Sequence, residues 1–178
     1  MLCPKCKSDS LKATRFDEGL LGFSCTACKG TLISLTHYRE WAERTQEPMD
    51  ESMVRTASIA PPSTKTAMCC PKCNRLMLKY RISGGTNNML DVCTSCDVVW
   101  LDSGEWRLLK HLRLSGNMPK IFTDSWQRRV RKDISERHRR EKLRQLIGDQ
   151  GLAKAEDLRA WLKNNPHRSQ ILFYLNHE

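Results

Sequence analysis

The sequence predicts a small, metal-stabilised α+β fold that continues into an α-helical C-terminal region. Three observations lead to this fold class. The 178 residues are only 39% hydrophobic, and the mean hydropathy of -0.57 argues against a large apolar core. Eight of the nine cysteines stand in C-x2-C pairs. The last third of the chain has no cysteine, many arginines and helical periodicity.

The cysteine pairs form two repeats of one unit. Two C-x2-C pairs are separated by 18 residues (7–24) in the first repeat and by 19 residues (74–92) in the second. This is the spacing of a tetrahedral four-cysteine zinc site. The predicted ligands are Cys3, Cys6, Cys25 and Cys28 in the first repeat, and Cys70, Cys73, Cys93 and Cys96 in the second. We therefore expect two Zn²⁺ per chain, with Cys69 as a spare thiol.

Alternating apolar and polar residues predict a β-hairpin between the two cysteine pairs of each repeat. The paired strands are expected at 11–16 and 20–24 in the first repeat, and at 76–82 and 89–92 in the second. A short third strand is expected at 98–101. Units of about 40 residues bury too little apolar surface to fold unaided, so zinc must supply much of their stability. The pattern indicates two four-cysteine zinc ribbons.

A helix is predicted directly after the third strand of the second repeat. Asp102 stands at the expected N-cap and Glu105 follows three residues later, as in a capping box. The helix is expected to continue to about Leu114. No histidine or nucleophile accompanies this acidic pair, so we interpret both carboxylates as structural.

The segment from Cys70 to Trp106 contains CPKC, CTSC and a closing VVWLDSGEW. It resembles the bacterial transcription factor IIB-type zinc-ribbon domain, whose signature is C-P-x-C, C-x-x-C and a closing G-V-W-L-D-x-G-E. Val98 replaces the glycine-type residue. Residues 1–41 resemble a degenerate copy, with Leu-Ile-Ser at 32–34 where the second copy has Trp-Leu-Asp. The resemblance implies zinc binding and a role in nucleic-acid or protein interaction.

The repeats and the composition divide the chain into four parts. A degenerate zinc ribbon with a trailing helix is predicted at 1–44, a linker at 45–66, and a zinc ribbon with a trailing helix at 67–120. Because the linker is rich in Pro, Ser and Thr, the two ribbons are expected to move independently. A basic helix followed by a helical hairpin is predicted at 121–178. The expected core of that hairpin contains Leu158, Trp161, Leu162, Ile171, Leu172 and Leu175.

The charge of the chain favours contact with polyanions. There are 30 Lys and Arg against 20 Asp and Glu, and the formal charge of +10 falls to about +6 when two tetrathiolate zinc sites are counted. The candidate nucleic-acid contacts are Lys72, Arg75, Lys79, Arg81, Arg128, Arg129, Arg131, Lys132, Arg137, Arg140 and Arg144. Asp133, Glu136 and Glu141 are interleaved with them, so an ordinary solvated helix with weak ion pairs remains an equal alternative.

Two functions fit these features. One is a non-catalytic zinc-ribbon protein that binds DNA or RNA, or associates with the transcription machinery, through its ribbons and basic helix. The other is a protein–protein interaction adaptor with no direct nucleic-acid contact. An enzyme is not expected, because four thiolates leave zinc no open position. The chain has no apolar run long enough to span a membrane and no export sequence after Met1, so we expect a cytoplasmic protein; its oligomeric state stays open.

Overall fold

The computed structural model describes residues 1–7, 11–17, 19–45 and 61–177. Its contacts divide the chain into two compact units, Met1–Ile134 and Ser135–Glu178. The first unit contains both cysteine repeats. Most of the predicted linker, 46–60, lies outside the described residues.

The first unit is built on one six-stranded antiparallel sheet. The strand order is β1-β2-β3-β6-β5-β4. The strands are β1 (Lys12–Phe16), β2 (Leu20–Ser24), β3 (Thr31–Ser34), β4 (Leu78–Arg81), β5 (Met89–Cys93) and β6 (Val98–Leu101). The alternating patterns thus correspond to β1-β2 and β4-β5 hairpins, and the third strand of the second repeat is confirmed at Val98–Leu101.

The two repeats share this sheet because their third strands pair with each other. Strands β3 and β6 are antiparallel, and Leu32 lies directly opposite Trp100. Each of these residues stands four places after the last cysteine of its repeat, so the repeats are related by a pseudo-twofold axis at this pair. The expectation that the ribbons move independently is therefore wrong. Without this pairing, the third strand of each repeat would expose its backbone donors and acceptors at a sheet edge. The third strand of the other repeat forms hydrogen bonds with them.

Helices cover one face of the sheet and enclose the main hydrophobic core. They are α1 (Leu35–Thr45), α2 (Glu105–His111), α3 (Met118–Ile121) and the beginning of α4 (Asp124–Lys163). Helix α2 ends three residues before the predicted Leu114, and a 3-10 turn at Ser115–Asn117 follows. Both third strands contribute to this core, with Ile33 from β3 and Val99 from β6 fully buried.

Contacts across the pseudo-twofold axis join the helices of each repeat to the other repeat. The hydroxyl of Tyr38 on α1 donates to the carbonyl of Ser115 and accepts from the amide of Met118 at 2.9 Å. The indole Nε1 of Trp106 on α2 donates to Asp17 Oδ2 at 2.7 Å. The Tyr38 contacts are buried and the Trp106 contact is partly buried, and they satisfy groups that burial would otherwise penalise. The helical layer, like the sheet, therefore belongs to both repeats.

The first turns of α4 pack on the second repeat as the spacing of Trp126, Val130 and Ile134 suggests. Trp126 and Val130 are buried, and Ile134 is partly buried against the same core. The indole of Trp126 donates to the carbonyl of Ile82 at 3.0 Å. This part of the arginine-rich helix is therefore fixed on the first unit.

The end of the predicted linker is bound to the second repeat. Asn88 Nδ2 donates to the carbonyl of Pro61 at 2.9 Å, and the amide of Met89 donates to Ser63 Oγ at 3.3 Å. Hydrogen bonds to a neighbouring repeat are not expected of a tether. Residues 61–64 are thus part of the first unit, which corrects the interpretation of this stretch as linker.

Thr64 completes this attachment through two charged side chains. Its amide donates to the carboxylate of Asp102, and its carbonyl accepts from Lys79 Nζ at 2.8 Å. Asp102 also accepts from Lys5 Nζ of the first repeat at 3.0 Å. The prediction of Asp102 as the N-cap is wrong, because α2 begins at Glu105 and its N-cap is Gly104. Glu105 Oε2 does accept from the Asp102 amide, but the Asp102 side chain accepts from Thr64 and Lys5 and caps no helix.

The second unit is helical and has little core. Residues of α4 from Ser135 onward belong to it, with non-helical backbone at Gly148 (φ 71°), and α5 (Arg168–Asn176) follows. Among its described residues only Leu152 and Leu162 are buried. The predicted hairpin core is wrong except for Leu162, because a unit of this size has too little chain to cover its apolar side chains. The exposed or half-buried members are Leu158, Trp161, Ile171, Leu172 and Leu175.

Candidate metal centres and charged surfaces

Two groups of four cysteines have the geometry of a tetrahedral metal site. In each group the four Sγ atoms lie within 4.8 Å of one another. The groups are Cys3, Cys6, Cys25, Cys28 and Cys70, Cys73, Cys93, Cys96, which are the predicted ligand sets. The Sγ atoms of Cys3 and Cys28 are 3.5 Å apart, and those of Cys73 and Cys93 are 3.6 Å apart. Disulfide sulfurs lie about 2.05 Å apart, whereas a tetrahedron with metal–sulfur bonds of about 2.3 Å has an edge of about 3.8 Å.

Each C-x2-C pair is folded by the same backbone turn. The residue after the second cysteine has a positive φ in all four pairs: Lys7, Lys29, Asn74 and Asp97, between 50° and 59°. In the first pair the Lys7 amide donates to the carbonyl of Cys3 at 3.1 Å, which closes the turn. A left-handed conformation costs a non-glycine residue about 1–2 kcal/mol. Glycine, the residue that usually marks such a turn, is absent from these positions, and only Asn74 and Asp97 are of types that adopt this conformation more readily.

The protonation of the thiols depends on burial and on backbone donors. Burial raises the pKa of Cys3 to about 12, whereas the backbone amide of Arg75 lowers the pKa of Cys73 to about 7. A metal binds the thiolate, so loading these sites displaces protons from the buried thiols. Metal affinity therefore falls as the pH falls.

Cys69 belongs to neither group. It is partly buried and forms an isolated β-bridge with Leu76. It also lines a cleft between the first C-x2-C pairs of the two repeats. Among the described residues, all nine cysteines are free of disulfides. The prediction that Cys69 is a spare thiol fits this position outside both ligand sets.

Glu105 is the most deeply buried acidic side chain of the second repeat. It has no exposed surface; Oε1 accepts from Asn88 Nδ2 at 3.2 Å and Oε2 from the Asp102 amide at 2.8 Å. Burial raises its pKa to about 7. Burial also opposes ionisation of Asp102, but donation by Thr64 and Lys5 outweighs it, so the pKa of Asp102 lies below its usual range. These contacts hold the fold together, in agreement with a structural role for the acidic pair.

Glu105 makes the stability of the first unit depend on pH. Its pKa rises from 4.5 in an unperturbed side chain to about 7 in the fold, so the folded state binds the proton more tightly. The free energy of unfolding should therefore decrease as the pH rises through this range, by about 1 kcal/mol between about pH 6 and about pH 8. Urea denaturation of the metal-loaded protein measures this slope.

The matched variants are Glu105→Gln, which should flatten the slope, and Glu43→Gln at an exposed position of α1, which should keep it. Metal content is followed in the same samples, because acid also releases metal from thiolates. A slope that is equal in all three proteins would contradict this role of Glu105.

Some of the basic candidates are engaged by acidic side chains among the described residues. Lys79 Nζ lies 2.7 Å from Asp91 Oδ1, and this carboxylate is buried. In the second unit Arg140 pairs with Glu156, and Arg144 Nη2 lies 2.8 Å from Glu141 Oε1. These pairs compete with phosphate for the same cations. Their exposed members contribute little to stability.

Three of the other basic candidates contact uncharged side chains. Arg75 donates to Ser95 Oγ at 2.8 Å, Arg81 to Asn87 Oδ1 at 3.4 Å, and the Arg129 guanidinium lies 4.6 Å from the centre of the Trp126 ring. Exposed candidates that form no ion pair with the described residues are Lys72, Arg75, Arg128, Arg131, Lys132 and Arg137. Eight of the eleven belong to the first unit, and Arg137, Arg140 and Arg144 belong to the second.

No family model, curated protein or solved structure matches this chain. Within the described residues, none of the helices combines the length and the apolar character needed to cross a bilayer.

Proposed function

We propose that this chain is a non-catalytic zinc protein of the zinc-ribbon type that acts as a protein-interaction adaptor. Four soft thiolates in a tetrahedral arrangement favour Zn²⁺, and a full set of protein ligands leaves no position for substrate. One Zn²⁺ in each group gives two per chain and makes both sites structural. The resemblance of Cys70–Trp106 to the bacterial transcription factor IIB-type zinc ribbon supports this assignment.

The adaptor role is carried by the apolar side chains that the second unit exposes. Leu146 and Tyr174 are each 80% exposed, Phe173 is 67% exposed and Trp161 is 55% exposed. Large aromatic residues are typical anchors of protein interfaces, and their exposure to water is unfavourable unless a partner covers them. A partner protein with an apolar surface that packs against these helices would cover the exposed side chains and so explain why the sequence has them.

Affinity capture with the zinc-loaded full chain tests this role. After nuclease treatment, a stoichiometric protein should remain bound to the wild type. We expect at least about tenfold weaker retention for the double variant Trp161→Ser and Tyr174→Ser. The matched control is Leu76→Ser, which changes an exposed leucine of the first unit (64%) and should retain the partner. Equal retention by all three, or no retained protein, would contradict the adaptor.

Nucleic-acid binding is the second candidate, and the exposed basic side chains without ion pairs favour it. Among the candidates of the first unit, those that are exposed and form no ion pair with the described residues are Lys72, Arg75, Arg128, Arg131 and Lys132. Titration with duplex DNA, single-stranded DNA and RNA at increasing salt separates the candidates, because phosphate contacts give a steep loss of affinity. Arg128→Ala with Arg131→Ala should then reduce the slope. No binding of any of the three at low salt would exclude this function.

A further inference from the structure

An open groove lies on the first repeat, on the sheet face opposite the main core. It has a volume of about 390 Å³, and β1, β2 and β3 supply most of its lining. Leu21 and Phe23 of β2 line it and remain 45% and 38% exposed. We call this the repeat-1 groove.

The pseudo-twofold axis identifies the corresponding surface of the second repeat. Phe23 stands two places before Cys25, as Asp91 stands two places before Cys93. Phe23 is paired across the hairpin with Ala13, and Asp91 is paired with Lys79.

The third strands give a further correspondence. Ser34 stands six places after Cys28, and Asp102 stands six places after Cys96. Three residues of the second repeat, Lys79, Asp91 and Asp102, thus correspond to Ala13, Phe23 and Ser34 of the first.

In the second repeat this surface is occupied by the chain's own residues 61–64. Lys79 donates to the carbonyl of Thr64, and Asp102 accepts from its amide. Met89, which corresponds to Leu21, donates its amide to Ser63 Oγ at 3.3 Å. The second repeat therefore shows how a segment without helix or strand structure sits on this surface, through hydrogen bonds between side chains and backbone groups.

The repeat-1 groove has the same position but different chemistry. The charged residues that hold Thr64 are replaced by alanine and serine, and the buried aspartate is replaced by the exposed ring of Phe23. Arg15, His37 and Lys72 also line the groove, and none of the described lining residues is acidic. The groove therefore suits apolar side chains beside a negative charge.

We propose that the repeat-1 groove binds an extended segment of a partner protein that carries apolar side chains and at least one carboxylate. The segment occupies the position that residues 61–64 occupy on the second repeat. Apolar side chains contact Leu21 and Phe23, and the carboxylate pairs with Arg15. This site lies in the first unit and does not depend on the aromatic residues of the second unit.

Selection from a phage-displayed library of random linear peptides on the zinc-loaded full chain tests the proposal. The Phe23→Asp variant, which has the residue found at the corresponding position of the second repeat, is used to remove peptides that do not depend on Phe23. Enriched sequences should contain alternating apolar residues with Asp or Glu nearby. By fluorescence polarisation, the best peptide should bind Phe23→Asp at least about tenfold more weakly than the wild type.

Three further proteins make the result specific. Arg15→Glu, an exposed substitution that spares the core, should also weaken the peptide. Leu78→Asp, an exposed strand position of the second repeat (51%), should not. The Trp161→Ser and Tyr174→Ser variant should bind the peptide like the wild type, so failure of the adaptor role and failure of this site are distinguishable. Each variant must retain two metal ions.

Three outcomes would overturn the proposal. One is that no sequence is enriched, and another is that enriched peptides bind Phe23→Asp and Arg15→Glu as tightly as the wild type. The third is self-association of the wild-type chain that Phe23→Asp abolishes, since the occupant would then be a second copy.

Discussion

Chelation of the bound metal should unfold the first unit, Met1–Ile134, in a single cooperative transition. Both cysteine groups belong to one hydrophobic cluster with Leu32, Val98 and Trp100, on the sheet face opposite the main core. Structural zinc contributes about 10–16 kcal/mol in small zinc domains, whereas a whole domain is typically stable by about 5–15 kcal/mol. Loss of both ions therefore removes more free energy than the remaining apolar contacts are expected to supply.

Near-ultraviolet circular dichroism and metal content measure this transition. The aromatic signal of the first unit should disappear as metal falls from two ions per chain to none, and excess Zn²⁺ should restore it. Chelated protein that keeps its aromatic signal and its thermal midpoint would contradict the dependence on metal.

Single-ligand variants test whether the shared sheet couples the two sites. Cys25→Ser in the first repeat should lower the metal content and also reduce the amide protection of β5 in the second repeat. Cys69→Ser is the matched control, because Cys69 lies outside both groups and should leave two ions bound. If amide protection is lost only in the mutated repeat, the two metal sites are independent.

Trp100→Ala should cause the largest loss of stability among single substitutions outside the ligands. The indole is fully buried at the pseudo-twofold axis, and its Nε1 donates to Asp102 Oδ1 at 3.3 Å. Its ring lies so close to the backbone of Gly30 that a Cβ there would overlap it. Removing a buried tryptophan ring leaves a cavity and costs about 3–5 kcal/mol.

Urea denaturation of the metal-loaded protein measures this cost. The matched control is Trp161→Ala, which removes the same side chain from a position that is 55% exposed and should cost less than about 0.5 kcal/mol. Leu32→Ala, at the symmetry-related position, should cost about 2–5 kcal/mol. An equal loss in Trp100→Ala and Trp161→Ala would mean that Trp100 does not hold the repeats together.

The ligand sets and the strands of the first unit are the parts that the sequence predicts well. A C-x2-C pair is recognised from four consecutive residues. The alternation of apolar and polar residues around Tyr80 and around Leu90 is recognised within a single hairpin. Such patterns are local, so they can be interpreted without knowing what the rest of the chain contacts.

The basic residues show the limit of this approach. From the sequence alone, Lys79 and Arg140 are both simply basic residues. In the fold, Lys79 pairs with the buried Asp91, whereas Arg140 pairs with Glu156 on the surface. The sequence pattern of 158–175 likewise suggests a helical core, although the structure leaves Trp161 half exposed. Burial depends on the surface that is available to pack against, which periodicity does not specify.

The sequence alone determined the two cysteine groups, the hairpins between the cysteine pairs and the helical end of the chain, because each follows from spacing along a short stretch. Only the tertiary structure decided that β3 pairs with β6, that residues 61–64 lie on the second repeat, and that the described residues leave the corresponding groove of the first repeat open. These features join residues far apart in the chain. Their free energy comes from contacts that form only when both repeats are folded.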